Sequence, residues 1–148
     1  MKRIIGFLLI LSIIVSFAAC NLEDRATKES IISFVLENEE IILKCIETGD
    51  YTSIENNKPI TEINFEKNCV DFYCGGMGFG SGSMYVGFFY SEEDDIKAVW
   101  CAPSLPEHTL IPCDDGYIWK EVWTDEGGDN TYYAEKICEN IYYYEAHF

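Results

Sequence analysis

Basic residues are scarce in this chain of 148 residues. It contains 10 lysines and arginines against 26 aspartates and glutamates, which gives a formal net charge of −16. Such a surface repels phosphates and offers no stripe of basic side chains to release their counterions. Nucleic acids and anionic lipid head groups are therefore disfavoured as direct partners. The charge favours cationic partners, a basic protein among them, although an acidic surface that only keeps the protein soluble explains it too.

Catalytic motifs are also missing. The two histidines, His108 and His147, fit no local Ser-His-Asp or Cys-His pattern. Acidic pairs are abundant, but they fall in turn-like stretches where carboxylates are normally solvated, so they single out no general acid or base. We therefore predict no catalytic residue and a non-enzymatic role. A hydrolase that uses dispersed carboxylates is the less favoured alternative.

Signatures of cofactor and metal sites are absent in the same way. The glycine-rich stretch 75–82 lacks the lysine of a P-loop and the spacing of a dinucleotide fingerprint. It is typical of a wide hairpin connection with positive φ angles, or else of a flexible lip on a binding site. Cys69 and Cys74 are too far apart for a usual zinc pair, and the acidic run 125–130 lacks full calcium-loop spacing. We predict no cofactor and no metal.

The first twenty residues form the most informative stretch. Lys2 and Arg3 precede an apolar run over residues 4–17, and two alanines then lead to Cys20. This arrangement is typical of a secretory signal peptide, because the run is shorter than the roughly 20 apolar residues of a membrane-spanning helix.

The end of that run, Phe17-Ala18-Ala19-Cys20, resembles the lipobox of bacterial lipoproteins, in which the cysteine is acylated and becomes the mature N-terminus. The resemblance implies a signal peptide at 1–19 and a lipidated tether at 20–26. It also implies that acyl chains such as palmitate hold the protein at the extracytoplasmic face of the cell membrane. An ordinary signal cleaved before Cys20, which would leave a plain thiol there, is the alternative. Removing residues 1–19 removes two basic and no acidic residues, which leaves 8 against 26 and a net charge of −18.

Residues 27–148 are predicted to form a single α+β domain. An N-terminal amphipathic helix is expected to begin at Thr27 as N-cap, to end before Gly49, and to pack on a sheet. Short aromatic and β-branched runs separated by acidic or glycine-rich turns then predict an antiparallel meander of about six or seven strands. The predicted strands cover residues 60–65, 69–74, 84–91, 96–101, 117–124, 131–138 and 141–148.

Aromatic residues dominate these predicted strands. Because consecutive strand residues point to opposite faces, Tyr142, Tyr143 and Tyr144 must divide two and one between the faces. Core packing explains most aromatic side chains of this kind, and an exposed set would form a ligand or protein contact surface. The candidate surface consists of Tyr85, Phe89, Trp119, Trp123, Tyr142 and Tyr144.

The chain has seven cysteines, an odd number for an exported protein. If lipid occupies Cys20, six remain, which permits up to three disulfides. We predict one of them, Cys101–Cys113, because it would close a proline-rich loop. Such a bridge typically stabilises a domain by about 3 kcal/mol.

A second resemblance concerns the later half of the chain. The segment 85–91 with Asp94-Asp95, and the ending 136–148, are similar to segments of a set of small exported proteins of Gram-positive bacteria. The resemblance implies export and a shared small fold, and it implies no activity.

These features together predict a lipid-anchored extracytoplasmic protein that serves as a small non-catalytic binding or interaction module. An immunity-type protein that neutralises a toxin at the membrane surface is the main alternative, since it fits the size, the charge and the predicted location. Neither prediction identifies the ligand.

Overall fold

A computed structural model of the chain describes residues 26–78, 82–102, 110–120 and 130–148. In these ranges it contains one helix and one seven-stranded antiparallel sheet, so the predicted α+β class is confirmed. The predicted signal peptide and Cys20 lie outside the described residues. The elements are α1 Lys28–Thr48, β1 Glu62–Glu66, β2 Cys69–Met77, β3 Met84–Ser91, β4 Ile111–Cys113, β5 Gly116–Lys120, β6 Thr131–Cys138 and β7 Ile141–His147.

Helix α1 begins and ends at the predicted residues. The Thr27 side chain accepts a hydrogen bond from the Ser30 amide over 3.2 Å, and the Thr27 amide donates to the Ser30 hydroxyl over 2.9 Å. This reciprocal capping box satisfies amides that the first turn leaves without helical partners. At the other end, Gly49 adopts φ 69° and its amide donates to the Cys45 carbonyl over 2.8 Å. A left-handed glycine is the common way to end a helix.

One hydrophobic core lies between α1 and the sheet. Ile31, Val35 and Ile42 of the helix are fully buried there. On the sheet side, the rings of Phe72 and Phe88 stack with their centroids 4.5 Å apart. Offset aromatic stacking and the removal of apolar surface from water both stabilise this layer.

The strands follow the order β1-β2-β3-β7-β6-β5-β4. The sheet therefore consists of two meanders, β1-β2-β3 and β4-β5-β6-β7, which join where β3 pairs with β7. The prediction of a single continuous meander is wrong, because the chain does not continue from β3 into the neighbouring strand. It passes instead to the far edge of the sheet and returns strand by strand to the centre.

The predicted strand at 96–101 is also wrong. The Asp95 carboxylate accepts a hydrogen bond from the Lys97 amide over 2.9 Å, and the Asp95 carbonyl accepts one from Ala98 over 3.1 Å. These local bonds close a turn and compete with a strand ladder. Strand β4 was not predicted; it is three residues long and contains Pro112, which a sheet tolerates at an edge.

The segment after β3 covers part of the sheet face opposite α1. Tyr132 donates a hydrogen bond to the Ile96 carbonyl over 2.6 Å, and Tyr142 donates to the Asp94 carboxylate over 2.7 Å. Val99 and Cys101 of this segment are buried against the sheet in a second hydrophobic cluster. The face is thus closed over the centre of the sheet, while a groove lies open toward β1.

Candidate functional site

A buried carboxylate lies beneath the open part of this face. In β2, Val70 and Phe72 point toward α1, so the side chain of Asp71 points to the opposite face. Asp71 is 0% exposed. Its Oδ1 atom accepts a hydrogen bond from the Tyr144 hydroxyl over 3.0 Å, and its Oδ2 atom accepts from Trp100 Nε1 over 3.2 Å and from Asn64 Nδ2 over 3.4 Å. Three donors therefore hold one carboxylate in place.

The environment of Asp71 shifts its titration. Burial disfavours the charged form and raises the pKa of Asp71 to about 6, while hydrogen bonds from Tyr144, Asn64 and Trp100 act in the opposite direction. The nearby carboxylate of Glu66 adds to the rise. Burial, together with the charge of Asp71, also raises the pKa of Tyr144 above its ordinary value. The Tyr144 hydroxyl therefore stays protonated and donates to Asp71.

An aromatic groove of about 570 Å³ lies next to this carboxylate. The rings of Tyr85 and Trp100 meet at 82° with centroids 5.1 Å apart, and Tyr73 lies 6.4 Å from Tyr85 at 50°. Trp100 is 47% exposed although its indole N–H is bonded to Asp71. The polar part of the lining comes from the edge strand β1 and consists of Glu62, Asn64 and Glu66. The groove thus combines exposed aromatic surface with two carboxylates. Phe65 borders it at the sheet edge, but its ring packs against Tyr51 on the helix side of β1, with the centroids 5.0 Å apart.

A second groove of about 490 Å³ adjoins the first, because Tyr73 and Tyr85 line both. Its other wall is formed by the end of β2, by Gly78 and by the start of β3. Gly75 within β2 and Gly78 just after it adopt φ angles of 130° and 100°. The predicted use of positive φ in this hairpin is confirmed at those two residues. A Cβ at Gly76 would lie 2.6 Å from the Tyr73 hydroxyl. The glycines therefore let the chain pass close to the aromatic groove.

The predicted binding surface is divided by the structure. Tyr85 lines the groove, whereas Phe89, Tyr142 and Tyr144 are buried and form no exposed surface. Trp119 is partly buried against the second hydrophobic cluster, and Trp123 lies outside the described residues. The division of Tyr142, Tyr143 and Tyr144 between the faces is confirmed: Tyr143 belongs to the core under α1, and its two neighbours belong to the opposite cluster.

The cysteines of the described ranges are free thiols. Cys101 is buried and Cys113 is half-buried, and the disulfide predicted between them is not formed in this structure. Burial raises the pKa of Cys69 to about 12. A thiol with such a pKa is a poor nucleophile at neutral pH.

A separate polar cluster lies on the helix side of the sheet. Lys28 Nζ donates to Glu135 Oε2 over 2.6 Å and to the Tyr133 hydroxyl over 3.1 Å. Close by in the sheet, His147 Nε2 lies 2.7 Å from Glu145 Oε1. These contacts tie the first turn of α1 to β6 and order the end of β7.

Sequence reasoning missed most of the groove. Tyr73, Asn64 and the two glutamates were not proposed as site residues, and Trp100 was known only as one of many strand aromatics. The alternation in β2 already indicated that Asp71 and Tyr73 share a face. The alternation of Glu62, Asn64 and Glu66 in β1 carries the same signal. The sequence pattern does not predict the turn at 96–102, which places Trp100 next to these β1 and β2 residues.

Among the residues that the structure describes, no group of three His, Cys, Asp or Glu side chains is placed to hold a metal ion. The acidic run 125–130 lies, apart from Asn130, outside them. No helix in the described ranges is long and apolar enough to cross a membrane. Comparisons of the chain with protein-family models, curated proteins and solved structures give no significant match.

Proposed function

We propose that this protein is a lipid-anchored binding module that works without catalysis at the extracytoplasmic face of the cell membrane. The anchor is an acylated Cys20, and the signal-like residues 1–19 support this location. The observation that carries the binding role is the aromatic groove formed by Tyr73, Tyr85 and Trp100. Solvent-exposed aromatic side chains that line a concave surface are enriched at protein contact sites.

The proposed partner is a basic protein. The excess of 26 acidic over 10 basic residues favours approach of a cationic surface, and Glu62 and Glu66 add negative charge at the groove itself. An anchor at Cys20 would confine this encounter to the membrane surface. A toxin is one basic protein that fits this description, so the immunity-type role is a special case of the same proposal.

Site-specific photo-crosslinking tests the proposal. A benzophenone amino acid at Glu62, an exposed residue on the groove face of β1, is expected to capture a basic protein in a one-to-one adduct, while Glu66 keeps negative charge at the groove. The matched control is the same probe at Ile111, which is 61% exposed on the opposite edge strand. Excess unlabelled protein should compete with the Glu62 adduct. Equal adducts from both positions, or an acidic captured protein, would contradict the proposal.

A further inference from the structure

Two ring faces in the groove form a corner. The planes of Tyr85 and Trp100 are nearly perpendicular, at 82°, and the centroids are 5.1 Å apart. Tyr73 flanks Tyr85 as a third ring. A cation within about 6 Å of an aromatic centroid is attracted by the negative ring face, and adjacent rings increase that attraction. The arrangement is therefore suited to a compact positive group and is less suited to a flat molecule that needs one continuous stacking platform.

Negative charge surrounds this corner. Glu62 and Glu66 project from β1 into the same groove, and the lining side chains that the structure describes include no lysine or arginine. An incoming cation therefore meets two carboxylates without displacing an internal cation. Lys67 follows Glu66 in the chain and lines the neighbouring hollow instead.

Asp71 fixes the orientation of one wall. The hydrogen bond of 3.2 Å from Trp100 Nε1 to Asp71 Oδ2 holds an indole that is otherwise half-exposed. The Tyr144 hydroxyl donates a second hydrogen bond to Asp71, to its Oδ1 atom, and so fixes the position of the carboxylate. An aromatic wall that is already oriented costs less conformational entropy when a ligand binds. The corner is thus preorganised by buried groups.

We propose that this corner receives one lysine or arginine side chain of the basic partner, with Tyr73, Tyr85 and Trp100 around the cation and Glu62 and Glu66 as its counter-charges. The inference rests on the proposed function and specifies its chemistry. Asp71 is a positioning residue, since it acts through Trp100. The partner contributes an extended basic segment, because the groove runs along the open edge strand β1.

Titration calorimetry with simple probes tests this inference on the full-length protein in neutral detergent. The probes are a short peptide that alternates glycine with lysine, the same peptide with glutamine in place of lysine, and a neutral oligosaccharide. We expect the lysine peptide to bind and the other two not to bind. If the glutamine peptide or the oligosaccharide binds as well as the lysine peptide, the cationic assignment is overturned.

Variants locate the binding. Trp100→Leu, and separately the double variant Glu62→Gln/Glu66→Gln, are expected to weaken binding of the lysine peptide about 3- to 30-fold. The double glutamine variant changes exposed residues, so it keeps the test decisive if Trp100→Leu fails to fold. The matched controls are Tyr117→Leu, at an equally exposed ring, and Glu37→Gln/Glu40→Gln on the exposed side of α1. These controls should leave binding unchanged.

The outcomes separate this inference from the proposed function. Equal weakening by the groove variants and by the α1 control would mean that the peptide binds the acidic surface at large, and the inference is overturned. Partner capture at Glu62 combined with no binding of the lysine peptide would overturn the cationic corner alone. Failure of both experiments would remove the binding role as well.

Discussion

Tyr144 donates a hydrogen bond to Asp71 over 3.0 Å, although β7 and β2 are separated by β3. The contact is formed because Gly87 lies between them in β3, opposite Tyr144 on one side and Tyr73 on the other. With no side chain at Gly87, the Tyr144 ring lies across β3 and reaches the carboxylate. A tyrosine at the centre of the sheet thereby supports the floor of the groove.

Replacing Gly87 with alanine should disturb this support. A Cβ there would lie 2.5 Å from the Phe72 carbonyl oxygen and 2.9 Å from the Tyr144 ring. Because one neighbour is backbone in a paired strand, we expect a loss of about 1–3 kcal/mol in the free energy of unfolding. Gly82→Ala is the control, since its Cβ would meet nothing within 4 Å, and it should change stability by less than about 0.5 kcal/mol. Urea unfolding followed by circular dichroism measures both, and equal losses would contradict the packing described.

The titration of Asp71 should appear in the pH dependence of stability. Its pKa is raised in the folded state to about 6 from 3.8, so the folded protein binds a proton that the unfolded chain releases. Its contribution is therefore fully present below pH 3.8 and is lost as the pH rises through 6. The total loss is about 3 kcal/mol, from roughly 1.4 kcal/mol per pKa unit.

Asp71→Asn isolates this contribution. The difference in free energy of unfolding between variant and wild type should shift in favour of the variant from pH 4 to pH 7. Asp50 and Asp94 are exposed groups with lowered pKa values, and they titrate the same way in both proteins. A difference that is constant across this range would contradict the raised pKa.

Local signals made much of the fold predictable from the sequence. Thr27 and Gly49 mark the helix ends through side-chain capping and a left-handed backbone, both of which depend on nearby residues alone. The bounds of β3 and β6 follow from their aromatic and β-branched runs. The pairing of β3 with β7 was not predictable in this way, because strand order depends on contacts between residues far apart in the chain.

The candidate site was less predictable, and Trp100 shows why. The mostly apolar residues 96–101 fit a strand as well as a turn. The chain turns here because Asp95 accepts local hydrogen bonds that compete with strand pairing. That turn places Trp100 beside Tyr85, which was predicted as a surface residue. Phe89 and Tyr144 are aromatic residues of predicted strands, as Tyr85 is. They are nevertheless buried, because the 96–102 segment covers them.

The ion pair between Lys28 and Glu135 should stabilise the attachment of α1 to the sheet. Lys28→Met leaves the carboxylate of Glu135, whose side chain is 8% exposed, without its cation. Because the Lys28 side chain is 37% exposed, we expect a loss of about 1–2 kcal/mol rather than the 3–5 kcal/mol of a fully buried pair. The control is Lys44→Met on the exposed side of α1. Thermal unfolding measures both variants. An equal decrease in Tm for Lys28→Met and Lys44→Met would contradict a specific role of the pair.

Lipid attachment at Cys20 predicts a change in both mass and location. The mature protein should begin at Cys20 and exceed the mass of residues 20–148 by the mass of its acyl chains. Cys20→Ser should lose this added mass and leave the membrane fraction, because acyl chains contribute about 0.8 kcal/mol per buried methylene. Intact-mass spectrometry and cell fractionation measure these effects. An unacylated Cys20 in the wild-type protein would contradict the anchor.

The central claim is that the corner of Tyr85 and Trp100 binds a cationic side chain, and a two-dimensional NMR titration with the lysine peptide tests it most directly. We predict that the Trp100 indole N–H and the amides of Tyr73 and Tyr85 shift with the peptide, while those of α1 and β4 stay unchanged. Shifts spread evenly over the acidic turn at 92–95 and the helix, with none at the Trp100 indole, would contradict the claim.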